Sequence, residues 1–417
     1  MAVYYINFLL ILGLAFPLCI YKPCKVKTAV YMAITFGWMW FIATFRYGIG
    51  FDYYSYIRIF ELIRDTQNIS ALWDLRYEPG FALLTKAMTL FITSATAMYG
   101  VYQALILLPV IWFIYKYCKD VWLSTWLYVT LTFFYITMNF TRQSLAASVS
   151  LLGYQFLRDK KPIPYFLIVL LAASFHATAL IMIPVYFLCH IRLTKKLAIF
   201  YGVGVAVLFF SSNLILNFVT QFIFTGYRDT IWLTTNLTLR YLFVPGSILI
   251  TCLVLLRAWE KRDSAAMMLT NMMMFSFVIW LFSGRHFIIE RFSMYLYILL
   301  LVALPAAIST LRASEESRAE FAALKGTLPA SQSSGGKKKK AGPDKDIAVR
   351  RSELGKYIKE RETFYWSAVV GVLLVTLLYH SLGVNVGDFG FHNVFPYSSV
   401  LEWLGGARPA GLALPIS

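Results

Sequence analysis

The chain has 417 residues, of which 59% are hydrophobic, 17% aromatic and only 14% charged. So few charged side chains cannot cover the surface of a soluble protein of this length, so the composition excludes a soluble enzyme. The net charge of +17 does not indicate nucleic-acid binding, because the basic residues stand in short clusters between apolar runs. Clusters of this kind are typical of the cytoplasmic loops of a polytopic membrane protein.

Apolar runs long enough to cross a bilayer, about 20 residues each, predict an all-α integral membrane protein. They lie near residues 3–20, 28–45, 99–115, 121–138, 143–157, 197–217, 239–256, 265–282, 291–309 and 363–381. Segment 163–190 has basic clusters at both ends, which predicts a hairpin of two short helices that turns near His176 on the far side. These segments together predict about twelve crossings with both termini outside.

The chain divides into three parts by composition. Residues 1–310 are predicted to form a multi-span domain with an outer loop over 46–98, in which 80–98 forms an amphipathic interfacial helix. Residues 311–362 are rich in Ser, Ala, Lys and Glu, which predicts a disordered, basic cytoplasmic linker. Residues 363–417 are predicted to hold the last transmembrane helix and a periplasmic tail.

Basic residues on the predicted outer side are almost all arginine, ten against one lysine. Guanidinium groups bind phosphate and carboxylate at two points, so this bias indicates an anionic ligand at the outer face. Arg46, Arg142 and Arg291 stand where apolar runs meet the outer side, and Arg240 and Arg285 are weaker candidates. The alternative for each is an interface anchor. The remaining outer arginines are expected to pair with nearby carboxylates, and they are Arg58, Arg64, Arg76, Arg228 and Arg408.

Four residues are candidates for proton transfer. His176 lies at the predicted outer turn, and imidazole changes charge near neutral pH. Its alternative role is a hydrogen bond to a free carbonyl where the helix breaks. Asp52 and Glu78 are the other candidates as base or acceptor-orienting group, and His286 is a further one.

The outer loop is also rich in aromatic residues, including Tyr47, Tyr53 and Tyr56. Aromatic rings with a polar group suit the faces and hydroxyls of sugars, although membrane interfaces are also rich in tyrosine. Gly48 and Gly50 permit tight turns close to a ligand. We find no spacing of Cys, His or Asp that predicts a metal, and no glycine-rich phosphate loop that predicts a nucleotide.

Six motifs occur in order between the apolar runs. They are RYGIGFDYYSY (46–56), YEPGF (77–81), TRQSLA (141–146), SFHATALIMIPVY (174–186), ERFSMYL (290–296) and VFPYSS (394–399). Together they resemble the EpsG/Wzy-like family of bacterial exopolysaccharide and O-antigen polymerases. Phe51 departs from the family pattern, which often has a small polar residue before the aspartate.

The resemblance implies a membrane glycosyltransferase in the bacterial cytoplasmic (inner) membrane, with a GT-C-like helix arrangement. Because no metal or nucleotide pattern is found, the enzyme is predicted to be metal-independent and to use no cofactor. Such proteins transfer a growing glycan from undecaprenyl pyrophosphate to a sugar hydroxyl of another lipid-linked repeat unit at the periplasmic face. Arg46, Arg142, Arg291 and Arg285 would bind the pyrophosphate. Gln143 and Tyr295, which lie inside motifs, would join the three tyrosines in substrate binding.

The implied partners are the undecaprenyl-pyrophosphate-linked oligosaccharide and membrane lipids, with a chain-length regulator and a flippase as candidate proteins. Three rival functions stay open at this point. A glycan ligase would use the same donor chemistry. A flippase or transporter of the lipid-linked saccharide would line a path within the membrane with charges. A multi-span acyltransferase would need an acyl-donor site that faces the cytoplasm.

Overall fold

Helices make up nearly all of the computed structural model, which describes residues 2–75, 77–191, 194–222, 240–260, 264–286, 289–326 and 343–385. No strand occurs in these ranges. The α-helices are α1 (Ala2–Ala15), α2 (Lys25–Thr44), α3 (Tyr53–Asp65), α4 (Pro79–Thr89), α5 (Ala95–Tyr117), α6 (Val121–Thr130), α7 (Phe133–Thr137), α8 (Thr141–Leu151), α9 (Tyr154–Arg158), α10 (Pro162–Phe175), α11 (Met182–Leu188), α12 (Lys195–Phe222), α13 (Arg240–Glu260), α14 (Ser264–Ser283), α15 (Glu290–Tyr297), α16 (Leu300–Ser309), α17 (Glu315–Gly326) and α18 (Pro343–Asn385).

Five of the described helices are long and apolar enough to cross a membrane. They are Val3–Ile20, Lys25–Thr44, Ala95–Tyr117, Ala266–Ser283 and Ile347–Leu382. Helices α15 and α16 add a sixth span if they act as one, with a bend of 47° between them. The all-helical membrane class is therefore confirmed, while the twelve crossings and the GT-C-like arrangement stay predictions.

Several predicted spans are broken into shorter helices. The run over 121–138 becomes α6 and α7, with Thr132 between them at a φ of +67°. The run over 143–157 becomes α8 and α9. Hydropathy measures only the apolar content of a segment, so it does not reveal such breaks.

Segment 163–190 forms the expected hairpin. Helix α10 ends at His176, a 3₁₀ turn follows over Ala177–Ile181, and α11 returns alongside. The Tyr165 hydroxyl donates to the Met182 carbonyl at 2.8 Å, and its ring lies 5.3 Å from that of Tyr186. The predicted turn near His176 is confirmed.

Two other segments differ from expectation. The interfacial helix predicted over 80–98 ends at Thr89, and Ala95 already belongs to α5. The segment predicted as a disordered linker is helical over 315–326 and again from 343, where α18 continues without interruption into the last apolar segment. Residues 327–342 and the tail over 386–417, including VFPYSS, lie outside the described residues, as do Arg76, Arg228 and Arg408.

Helix α8 lies in the middle of the bundle, in contact with α5, α10 and α15. Its side chains are mostly small and buried, as at Ser144, Ala146, Ala147 and Ser148. Small residues let membrane helices approach closely. The packing brings the first turn of α8 next to the start of α4, the end of α10 and the start of α15.

Candidate functional site

Three helix ends meet at Glu78, each set by the local sequence. Glu78 is the N-cap of α4, held extended before Pro79, whose fixed φ suits the first position of a helix. Arg142 is the second residue of α8. His176 is the C-cap of α10, and its extended backbone (φ −159°, ψ 120°) ends the helix.

The Glu78 carboxylate bridges the other two side chains. Arg142 Nη1 donates to Glu78 Oε2 at 2.7 Å, and His176 Nδ1 lies 2.7 Å from Glu78 Oε1. The backbone N–H of Ala177 donates to the same Oε1 at 3.4 Å. All three side chains are largely buried, with 27% of Arg142, 18% of Glu78 and 17% of His176 exposed. Both carboxylate oxygens are therefore used inside the protein.

The proton arrangement follows from the charge of Glu78. Burial raises the pKa of Glu78, but the hydrogen bond from His176 and the charge of Arg142 outweigh burial and lower this pKa to about 2. Glu78 is thus a carboxylate at neutral pH and can only accept hydrogen bonds. His176 must donate from Nδ1, so a neutral His176 ring has its free lone pair on Nε2. This arrangement can accept a proton at Nε2 and stabilise the resulting imidazolium through Glu78.

Arg142 is held from several sides. Its guanidinium lies 5.4 Å from the ring centroid of Tyr77 and 5.5 Å from that of Phe81. Its backbone N–H donates to the Tyr56 hydroxyl at 3.2 Å. Within the described part of the chain its buried Nε has no hydrogen-bond partner. Arg142 therefore brings a fixed positive charge that Glu78 only partly satisfies.

Asp52 and Arg291 belong to the same neighbourhood. Burial raises the pKa of Asp52, and the charges of Arg291 and Arg142 oppose this without cancelling it. The backbone N–H of Asp52 donates to Asn139 Oδ1 at 3.1 Å. The side-chain amide of Gln143 donates to the carbonyl of Arg291, which joins α8 to α15.

The loop that carries Asp52 depends on Gly50. Its φ is +95°, and an added Cβ would lie 2.7 Å from the carbonyl oxygen of Met138. Glycine is the residue that adopts this backbone conformation without strain. Gly48 also has a positive φ, of +64°, so both glycines adopt a backbone conformation of the kind that the sequence allows for them.

Most of the aromatic candidates are buried and pack against other aromatic or polar side chains close to the ionic cluster. Tyr53 is buried and stacks on Tyr99 with ring centroids 5.0 Å apart, and Tyr47 meets its edge at 6.1 Å. Tyr56 is also buried. Tyr295 is buried with its hydroxyl 3.0 Å from Thr178 Oγ1, two residues beyond His176. In this structure Tyr47 alone of the three loop tyrosines is half-exposed.

Other predicted residues make different contacts. Arg46 is completely buried, with its guanidinium 4.0 Å from the Tyr99 ring centroid and a hydrogen bond to the Ala43 carbonyl. Arg285 Nη1 donates to the Phe209 carbonyl at 2.7 Å, and His286 Nε2 lies 3.1 Å from Ser212 Oγ. These last two residues therefore contact α12.

Arg64 and Lys86, two of the described outer basic residues, behave as structural groups. Arg64 pairs with Asp65 at 2.9 Å, as predicted. Lys86 donates to three carbonyls at the end of α3, including that of Thr66 at 2.6 Å. Lysine is suited to this position because the carbonyls of a helix end carry partial negative charge.

Sequence reasoning gave no role to three residues of the site. Phe81, Asn139 and Thr178 all contact predicted site residues, as described above. Phe81 and Thr178 stand inside the quoted motifs, which is the signal that could have identified them. Asn139 carries no such signal. The described residues contain no group of three or more His, Cys, Asp or Glu side chains that could hold a metal ion.

The fold and this cluster define a polytopic helical membrane protein with a partly buried ionic site where helix ends meet. The chain belongs to the EpsG family, whose family model matches residues 29–327. This confirms the resemblance drawn from the motifs, and membership implies a polysaccharide-polymerase-like function of the glycosyltransferase type. No curated protein and no solved structure matches the chain.

Proposed function

We propose that the chain is a polysaccharide polymerase of the bacterial inner membrane that acts at the periplasmic face. Its substrates are two lipid-linked saccharides. A sugar hydroxyl of one repeat unit attacks the anomeric carbon of the glycan on the other, and a new glycosidic C–O bond forms. The bond between the anomeric carbon and undecaprenyl pyrophosphate breaks, and its electron pair stays on the phosphate oxygen.

His176 takes the proton of the attacking hydroxyl at Nε2. A hydroxyl is a weak nucleophile until it begins to lose its proton, and a positioned base typically contributes about 10²-fold to 10⁴-fold to the rate. Glu78 keeps the Nδ1–H form of the ring and offsets the positive charge that develops on it, as the carboxylate does in Ser-His-Asp triads. The observation that carries the proposal is the Glu78 carboxylate, which lies 2.7 Å from both His176 Nδ1 and Arg142 Nη1.

Arg142 and Arg291 stabilise the departing diphosphate. The leaving group gains negative charge in the transition state, and fixed cations nearby lower the barrier without having to reorganise. The electrostatic influence of both arginines on Asp52 supports a shared neighbourhood. Arg46 is buried here, so a diphosphate would reach it only after the loop over 46–52 moved. Arg285 belongs to the proposal as a more distant diphosphate contact, beside α12.

The remaining candidates hold the acceptor sugar. Asp52 accepts hydrogen bonds from sugar hydroxyls, and Tyr47 offers a half-exposed ring to a sugar face. Tyr53, Tyr56, Gln143 and Tyr295 line the site and keep its helices together through the contacts described above. These four residues influence substrate binding mainly by setting the shape of the site.

The ionic cluster lies at helix ends rather than along a helix, and this arrangement favours a fixed site over a flippase, which needs a polar path across the membrane. A ligase would share the donor chemistry and differ only in its acceptor.

The test uses purified protein with lipid-linked repeat units and no other component. A ladder of longer glycans on the same lipid supports the polymerase, and transfer that starts only when a different acceptor is added indicates a ligase. Movement of the saccharide between leaflets without new linkages would overturn the proposal in favour of a flippase.

A further inference from the structure

Helix α4 meets the last turn of α10 at Gly80 and Ser174. A Cβ atom added to Gly80 would lie 2.2 Å from Ser174 Oγ, 2.9 Å from its Cβ and 2.9 Å from its carbonyl oxygen. Packed atoms do not approach this closely, and a carbonyl oxygen in a helix has no rotamer that would move it away. Glycine is therefore the residue that fits between the two helices at this point.

This contact stands very near the ionic cluster in both chain segments. Glu78 precedes Gly80 by two residues, and His176 follows Ser174 by two. The Ser174 hydroxyl is itself fixed, because it donates to the Leu171 carbonyl at 2.7 Å. A displacement of α4 away from α10 at Gly80 therefore lengthens the distance between the Glu78 carboxylate and His176 Nδ1.

We propose that Gly80 is a positioning residue for the transfer reaction, because its missing side chain lets α4 approach α10 closely enough for Glu78 to hold the His176 ring. The inference rests on the proposed function, in which His176 is the base. An alanine at position 80 needs the Ser174 carbonyl to recede by about 0.5 Å and the hydroxyl by about 1.2 Å to reach ordinary contact distances. A strong hydrogen bond tolerates only a few tenths of an ångström of stretching.

The test compares Gly80→Ala with the wild-type protein, both full-length and purified, in the elongation assay. We expect kcat to fall about tenfold to a hundredfold, with the KM for the lipid-linked repeat unit changed less than about twofold. Gly37→Ala is the matched control, because Gly37 lies within α2 and an added Cβ there meets nothing within 4 Å. Its kcat should equal that of the wild type.

Two further variants separate positioning from a general loss of structure. In a Glu78→Gln background, Gly80→Ala should cause no further fall in kcat, because the contact it disturbs is already weakened. The double variant Gly80→Ala with Ser174→Gly removes the Oγ and Cβ contacts and should recover part of the rate. If Gly80→Ala alone does not accumulate in membranes, the double variant is assayed instead, and its kcat should still lie below that of Gly37→Ala because the contact with the Ser174 carbonyl remains.

A direct readout keeps this inference distinct from the proposed function. In ¹⁵N-histidine-labelled protein, the His176 Nδ1 resonance should shift in Gly80→Ala and stay in place in Gly37→Ala. If the wild type makes no polymer but this shift is seen, the proposed function fails and the positioning role of Gly80 stands. The positioning role would be overturned if Gly80→Ala left both the His176 Nδ1 resonance and kcat unchanged. It would also be overturned if Gly80→Ala lowered kcat by the same factor in the wild-type and Glu78→Gln backgrounds.

Discussion

Replacing Glu78 with glutamine removes one charge and almost no volume. Burial raises the pKa of Glu78, yet His176 and Arg142 bring this pKa from 4.5 to about 2. A tenfold change in an acid dissociation constant corresponds to about 1.4 kcal/mol, so the ionised form contributes about 3 kcal/mol. Contact with solvent reduces this figure to about 2 kcal/mol. We therefore expect Glu78→Gln to lower the free energy of unfolding by about 2 kcal/mol at pH 7.

The same substitution should slow elongation about 10²-fold to 10⁴-fold, because a neutral amide neither fixes the His176 tautomer nor stabilises the imidazolium. The assays are thermal unfolding in detergent and glycan elongation by the purified protein. Glu61→Gln is the matched control, since Glu61 is an exposed carboxylate on α3 in the same loop region. A Glu78→Gln protein with wild-type Tm and a rate within about twofold of the control would refute the reasoning.

Four other outcomes are expected. His176→Asn should lower kcat about 10²-fold or more with little change in donor KM, measured in the elongation assay. Arg142→Lys keeps the charge but not the planar fork, so elongation should be lost while the protein stays in the membrane, which fractionation and activity together report. Gly50→Ala should lower the Tm, corresponding to about 1–3 kcal/mol, because φ is +95° and Met138 blocks a Cβ. The stabilisation by the low pKa of Glu78 is complete above its unfolded value of 4.5 and is lost as the pH falls through about 2, so from pH 5 to 2 the wild-type Tm should fall more than that of Glu78→Gln.

The sequence predicted the membrane class and the positions of the helices, because apolar content and basic flanks report directly on the bilayer. It also predicted the turn at His176. It did not predict the break at Thr132, where the backbone enters the left-handed region although the apolar content is continuous. The prediction of a disordered linker, made from composition, also differs from the helices found over 315–326 and 343–362. Their charged side chains pair across two helices, as in Arg350 with Glu320 at 2.9 Å, and composition contains no information on pairing.

The candidate site could also be predicted only in part from the sequence. Motifs placed Glu78, Arg142 and His176 among the candidates, but only the fold shows that one carboxylate joins the other two side chains. The position of Arg46 at the end of an apolar run indicated an exposed cation. Its burial beneath Tyr99 depends on how α2 and α5 pack, which no local pattern encodes. The close approach at Gly80 is likewise a property of two helices that lie about a hundred residues apart in the chain.

The most direct measurement is the elongation rate of four purified proteins: the wild type, Glu78→Gln, His176→Ala and the double variant. If imidazole and carboxylate act as one proton-accepting unit, the double variant should be no slower than His176→Ala alone. Losses that multiply in the double variant, or a His176→Ala protein that polymerises at the wild-type rate, would contradict the account.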